Sequence, residues 1–177
     1  LAACLLAGGA TELSAQPDLL LEQQVKAAYL YNFAKFVEWP DQGSDAGAPL
    51  VFGVMGKESF AAVLEQTVGG KTVNNRPLVV RRISNPHEVQ GCHILFIGLS
   101  EKWTLEEILR AVGNARVLTV GETHAFAHRG GMANFVMEEG KVRFEINVDA
   151  VGRSGLQISS KLLRLARVVR TGSAGYY

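Results

Sequence analysis

Residues 92–120 read CHILFIGLSEKWTLEEILRAVGNARVLTV, and this stretch decides the fold. His93–Ile97 is an almost unbroken apolar run, of strand length. Thr104–Val112 reads as a helix, and Thr104 followed by Glu107 fits a capping box, in which hydroxyl and carboxylate satisfy each other's unpaired amides. Val117–Val120 is apolar again. Short continuous apolar strands alternating with helices indicate parallel strands covered on both faces. The pattern extends toward the N-terminus. Leu50–Met55 and Leu78–Ile83 read as strands around a Glu58–Val68 helix with Phe60, Val63, Leu64 and Val68 inward. Further upstream, Val25, Tyr29, Phe33, Phe36 and Val37 have helical spacing from about Glu22, and Trp39-Pro40 ends that helix because the residue before proline is pushed out of the helical region.

Downstream, the apolar runs Ala133–Met137 and Val142–Ile146 flank Glu138-Glu139-Gly140-Lys141, a turn signal between antiparallel strands. Val142, Phe144 and Ile146 alternate with Arg143, Glu145 and Asn147, so the first set is expected to be buried and the second wet. After Asp149 the period becomes helical, with Leu162, Leu163, Leu165, Ala166 and Val169 on one side of an amphipathic helix expected to pack back over the sheet. The expectation is a single α/β domain over residues 22–170, with a mostly parallel central sheet, an antiparallel edge hairpin and helices on both faces. Residues 1–21 read as a leader and 171–177 as a flexible C-terminal tail.

The chain has 177 residues, 47% of them apolar, enough for one core. A net charge of +1 without a basic run argues against nucleic acid as a partner. No apolar run reaches the roughly eighteen residues of a membrane span. LAACLLAGGA at the start resembles the end of a signal-peptide hydrophobic region, with Gly8 and Ala10 at the two recognition positions for cleavage after Ala10. Export is therefore expected. A lipoprotein box, Leu1-Ala2-Ala3-Cys4 with Cys4 lipidated, is weakened because Leu5-Leu6-Ala7 continues the apolar run; a buried N-terminal helix is opposed by Gly8-Gly9. With the leader removed, Cys92 is left without an intramolecular partner and reads as a small core hydrophobe ahead of an interchain bridge.

A parallel sheet places ligands beyond the carboxyl ends of its strands. Gly56, Lys57, Ser59, Gly98, Ser100, Gly121 and Thr123 fall there, where glycines let amides approach a ligand and helix starts offer positive charge. Ordinary turn chemistry accounts for the same residues. Val68-Gly69-Gly70-Lys71-Thr72 is not a phosphate loop, since it follows a helix and lacks the first glycine. His124 and His128 have a metal-ligand spacing only on a helix, and Gly121 and Gly130-Gly131 point to a loop. No serine sits in a nucleophile elbow. The chain is thus read as a non-enzyme with no metal and no cofactor. Arg153, Lys161, Arg164, Arg167 and Arg170, on or near the last helix, form either a solvated face or one attracted to an anionic partner. Trp39 beside Pro40 sits at a surface edge.

Three stretches resemble the YfiR family of exported bacterial proteins: Lys26–Pro40, ending in Trp-Pro; Cys92–Gly98; and the series Phe126, Gly130-Gly131, Phe135, Phe144-Glu145, Asn147, Ser159 and Leu162-Leu163. The likeness runs over nearly all of the chain beyond the leader. It implies a compact periplasmic α/β regulator that represses a membrane diguanylate cyclase by binding its periplasmic domain. That would place it in control of cyclic di-GMP and biofilm. The resemblance also implies an outer-membrane lipoprotein that sequesters the repressor, and a homodimer. Trp39, Arg153, Arg164 and Arg167 are the candidate partner surface. The chain departs from better-known relatives in its cysteines: the position matching the partner of Cys92 is Gly53, and a second pair expected around Thr123–Asn134 is absent. The alternative reading is a periplasmic small-ligand-binding module serving a membrane receptor or transporter.

Overall fold

The computed structural model describes residues 15–40, 47–56, 58–98, 103–113 and 115–171. Helix α1 (Ala15–Phe36) begins about two turns before the expected start at Glu22, and the chain leaves it through the short strand β1 (Val37–Glu38) just before Trp39-Pro40. The alternating series then follows as β2 (Leu50–Met55), α2 (Glu58–Val68), β4 (Arg76–Arg82), β5 (Ile94–Ile97), α3 (Leu105–Val112) and β6 (Leu118–Gly121). Between α2 and β4 lies β3 (Thr72–Val73), which turns into β4 through Asn74 and Asn75, both at positive φ. Strands β7 (Ala133–Glu138) and β8 (Lys141–Asn147) form the expected hairpin. Its two-residue turn uses Glu139 and Gly140 at φ 50° and 72°, the left-handed pair that matches strand twist.

Eight strands form one sheet in the order β10-β8-β7-β6-β5-β2-β4-β3, where β10 is Arg167–Val169. The pairs β2/β4, β2/β5, β5/β6 and β6/β7 are parallel, and β7/β8 and β3/β4 are antiparallel. The mostly parallel sheet with its antiparallel hairpin is as the sequence implies. One face is covered by α1 and α2 around Leu30, Phe33, Phe60 and Leu64, and the other by α3 around Leu95, Ile108 and Phe126. On the first face the α1 residue Phe33 stands edge-on to Phe144, with ring centroids 5.1 Å apart, and stacks on Phe135 at 6.0 Å.

The long C-terminal helix does not form. The segment breaks into α4 (Val148–Ser154), β9 (Gln157–Ile158), the single turn α5 (Ser160–Leu163) and β10. Gly155 at φ 74° stops α4, and β9 pairs with β1. Arg167, Val168 and Val169 lie beside Glu145, Ile146 and Asn147 as a parallel strand. Leu165 and Val169, read as helix-stripe positions, are respectively 70% exposed and part of the sheet. Arg167 accordingly sits on a strand and not on a helix.

The hairpin also corrects the wet face. Val142, Phe144 and Ile146 are buried and Arg143 is exposed, but Glu145 and Asn147 are 4% and 0% exposed. The segment 122–131 folds over that face, so these side chains are buried among polar partners.

At the start of β5, His93 is enclosed by β2 and β4. Its Nδ1 lies 3.2 Å from the Val51 amide and its Nε2 2.9 Å from Arg76 Nη2, while the Trp39 indole donates to the His93 carbonyl at 3.0 Å. Burial and the Arg76 charge push the imidazole pKa down to about 4. The unfolded chain, with an ordinary histidine near 6.5, takes up a proton the folded state refuses, so stability is complete above that pH and falls as pH drops toward 4. The loss attributable to His93 is at most on the order of 3 kcal/mol. Urea unfolding at pH 7 and pH 4.5 should show it, and His93→Leu should flatten it. Equal losses in both proteins would assign the acid sensitivity elsewhere.

Candidate functional site

Strand β7 pairs with β6 only through Ala133 and Asn134, then runs on to Glu138 without a neighbour on that side. Beyond the carboxyl end of β6 the chain departs into the segment 122–131, and the first half of α1 passes close by. The gap is a cleft of about 780 Å³, bounded by Glu22 and Lys26 of α1, by Glu122–Ala125 and His128, by β7 from Asn134 to Met137, and by Glu145 with Arg167–Val169. It opens where the crevice rule for parallel sheets puts ligands.

Its polar walls are two charge clusters. Lys26, 7% exposed, sits on the buried stripe of α1 with Leu30 and Phe33, and its ammonium donates to Glu122 Oε2 at 2.7 Å and to Glu22 one turn before it. Burial opposes the charge, but the hydrogen bonds and charges of Glu122 and Glu22 outweigh it and hold the ammonium pKa above its ordinary value. In the second cluster Arg167 Nε donates to Glu145 Oε1 at 3.0 Å and Nη1 to Glu138 at 2.8 Å. Asn134 Nδ2 donates to Glu145 Oε2 at 3.3 Å, and His128 Nε2 stands 4.0 Å from Glu145 Oε1. Two buried polar atoms here have no protein partner, Asn134 Oδ1 and His128 Nδ1.

The roof of the cleft is fixed by packing. The Phe126 ring, fully buried, lies between the backbones of Gly121 and Gly131; a Cβ on either would fall 2.3 Å or 2.0 Å from a ring carbon. This is why a glycine is required at each place. Asn147 ties the far side. Its Nδ2 donates to the Ala127 carbonyl at 2.6 Å and to Thr171 Oγ1 at 3.0 Å, while its Oδ1 accepts from the amides of Asp149 and Ala150 and caps α4.

Of the crevice residues expected from sequence, Thr123 lines the cleft. Gly98 lies beneath Glu122, whose Oε1 would be 3.4 Å from a Cβ there, and the Gly56 backbone packs on Gly98 at 3.1 Å by the same measure. Gly56, Gly98 and Gly121 therefore serve close backbone packing. Ser59 is exposed on α2, 3.3 Å from Gln23 Nε2. Lys57 and Ser100 lie outside the described residues, as does Cys4. In the expected partner surface, Trp39 is half-buried against His93, its rings 5.6 Å apart. Arg153 and Arg164 are exposed, and Arg167 reaches into the cleft. Cys92 is buried; its Sγ accepts from Arg81 Nη2 at 3.0 Å, and burial, opposed by Arg81, raises the thiol pKa. His124 and His128 lie in turns, and among the described residues no three metal-ligating side chains come together. No described helix is long and apolar enough to cross a membrane.

Sequence reasoning missed Lys26, Glu122, Asn134 and Glu145. Only Lys26 carried a signal: it lies four residues before Leu30 and seven before Phe33, a charge on a buried stripe.

The site is thus a charged cleft past the strand ends of an α/β sheet. The chain belongs to the DUF4154, YfiR/HmsC-like family, which it matches over residues 23–167. That family is regulatory and not catalytic, and periplasmic in general. A crystal structure of a conserved domain protein from Vibrio cholerae O1 biovar El Tor strain N16961 is similar in fold, with a TM-score of 0.55 at 14% identity. The match covers 80% of this chain but 59% of that one. The ABC domain in complex with L-Trp from Streptococcus pneumonia matches with a TM-score of 0.48 at 11% identity, over 68% of this chain and 55% of that chain. At 14% identity the first of these likenesses concerns the fold alone.

Proposed function

We propose that this chain is a periplasmic repressor of a membrane diguanylate cyclase, acting by binding the cyclase's periplasmic domain in its inactive state and so lowering cyclic di-GMP. Family membership over residues 23–167 carries the reading. Differential affinity for one state of the enzyme is all that repression requires. Supporting it are three exposed apolar side chains, Leu165 just before β10, Val168 on β10 and Met137 on β7. They are 70%, 50% and 51% exposed, and the exposed Arg164 adjoins Leu165 in the chain. Sequestration by an outer-membrane lipoprotein and self-association are further partner states of the same reading.

Deleting the gene should raise cellular cyclic di-GMP, and the protein should co-purify with a membrane cyclase. Unchanged cyclic di-GMP on deletion overturns the reading. Leu165→Asp should weaken cyclase binding about tenfold or more while leaving the melting temperature unchanged, because that side chain contributes little to the core.

A further inference from the structure

We propose that the cleft beside β7 binds a small organic cation whose headgroup is a primary ammonium or a guanidinium. Its orphaned acceptors carry the first part of the argument. Asn134 is 1% exposed, lines the cleft, and leaves its Oδ1 without a protein partner. The amide cannot be turned round, because its Nδ2 donates to the Glu145 carboxylate, which only accepts. His128 Nδ1 is the second orphan. With the proton on Nε2, facing Glu145 at 4.0 Å, Nδ1 is an acceptor too. Native folds rarely leave buried acceptors unmet. A single group that meets both must carry at least two N–H or O–H donors.

Charge carries the second part. The cleft is lined by three carboxylates, Glu22, Glu122 and Glu145, against the two cations Lys26 and Arg167. Both cations are engaged by those carboxylates, so one negative charge is left over. Water satisfies the acceptors without neutralising the surplus charge, and a carboxylate-bearing ligand adds to the excess. A cationic headgroup answers both demands, and Val136, Met137 and Val168 offer an apolar wall for a short hydrocarbon body. This inference stands apart from the repressor reading: the cleft can fail to bind amines while deletion still raises cyclic di-GMP, and the reverse.

The test is calorimetric titration of the full chain with agmatine and putrescine, beside succinate as an anion of similar length. Either amine should bind and raise the melting temperature, and succinate should do neither. His128→Phe removes one acceptor, and Met137→Trp, at a half-exposed position, fills the cleft without touching the core. Each should weaken amine binding about tenfold or more. Should His128→Phe fail to fold, Met137→Trp decides alone. Absence of binding by both amines, equal binding of succinate, or affinity unchanged in the folded variants would each overturn the proposal.

Discussion

Gly131→Ala is expected to cost the domain about 3 kcal/mol, read as a lowered urea midpoint. A methyl group there would lie 2.0 Å from Phe126 Cε1, and the ring has little room to shift, since the Gly121 backbone also stands against it. The side chain is a rigid plane at 0% exposure, so relief must come from the backbone of the segment over the cleft. Gly121→Ala should behave alike, at 2.3 Å from Cδ2. Because both act on one ring, the double variant should cost less than the two singles together. A midpoint unmoved in Gly131→Ala would show that the ring is not clamped.

Gly53→Cys is expected to form a disulfide with Cys92. A Cβ at position 53 would stand 2.8 Å from Cys92 Sγ, close to the spacing a disulfide sets between one Cβ and the partner's sulfur. Bridging a loop of about 40 residues should stabilise the oxidised form over the reduced one by about 4 kcal/mol. Reduced, the variant should be weaker than the parent by about 1–2 kcal/mol, because the new side chain also crowds Leu95 and Ile83 at 3.0 and 3.1 Å. Unfolding with and without reductant, with thiol counting on the folded protein, reads both effects. Two free thiols after oxidation would exclude the bridge. Position 53 is where the family resemblance places the partner of Cys92, so the space a second cysteine needs is filled here by Sγ, Leu95 and Ile83 against a bare backbone.

The parallel half of the sheet was legible because its strands are short apolar runs with capped or amphipathic helices between them. The hairpin was legible because Glu139-Gly140 is a turn signal on local grounds alone. The C-terminal region was not. Leu162 to Val169 keeps a helical spacing, but Val168 and Val169 are β-branched and find an open strand in β8, and pairing outweighs periodicity. Glu145 and Asn147 alternate as wet residues should. What buries them is the segment 122–131, distant in sequence, and no local pattern reports such a cover. The cleft was legible in position only. Its chemistry comes from α1, the 122–128 segment, β7, β8 and β10, so the orphaned Asn134 oxygen and the surplus carboxylate exist only once the fold has gathered them.

Asn147 gives the molecule an uneven mechanical character. One side chain holds the Ala127 carbonyl above the cleft, the start of α4 and Thr171 just past the last strand. Pulling the C-terminal end away from the sheet therefore removes one partner of the amide that also fastens the roof. The two regions, 44 residues apart at Ala127 and Thr171, should breathe as a single hinged flap, while the parallel strands from β2 to β6 stay shut.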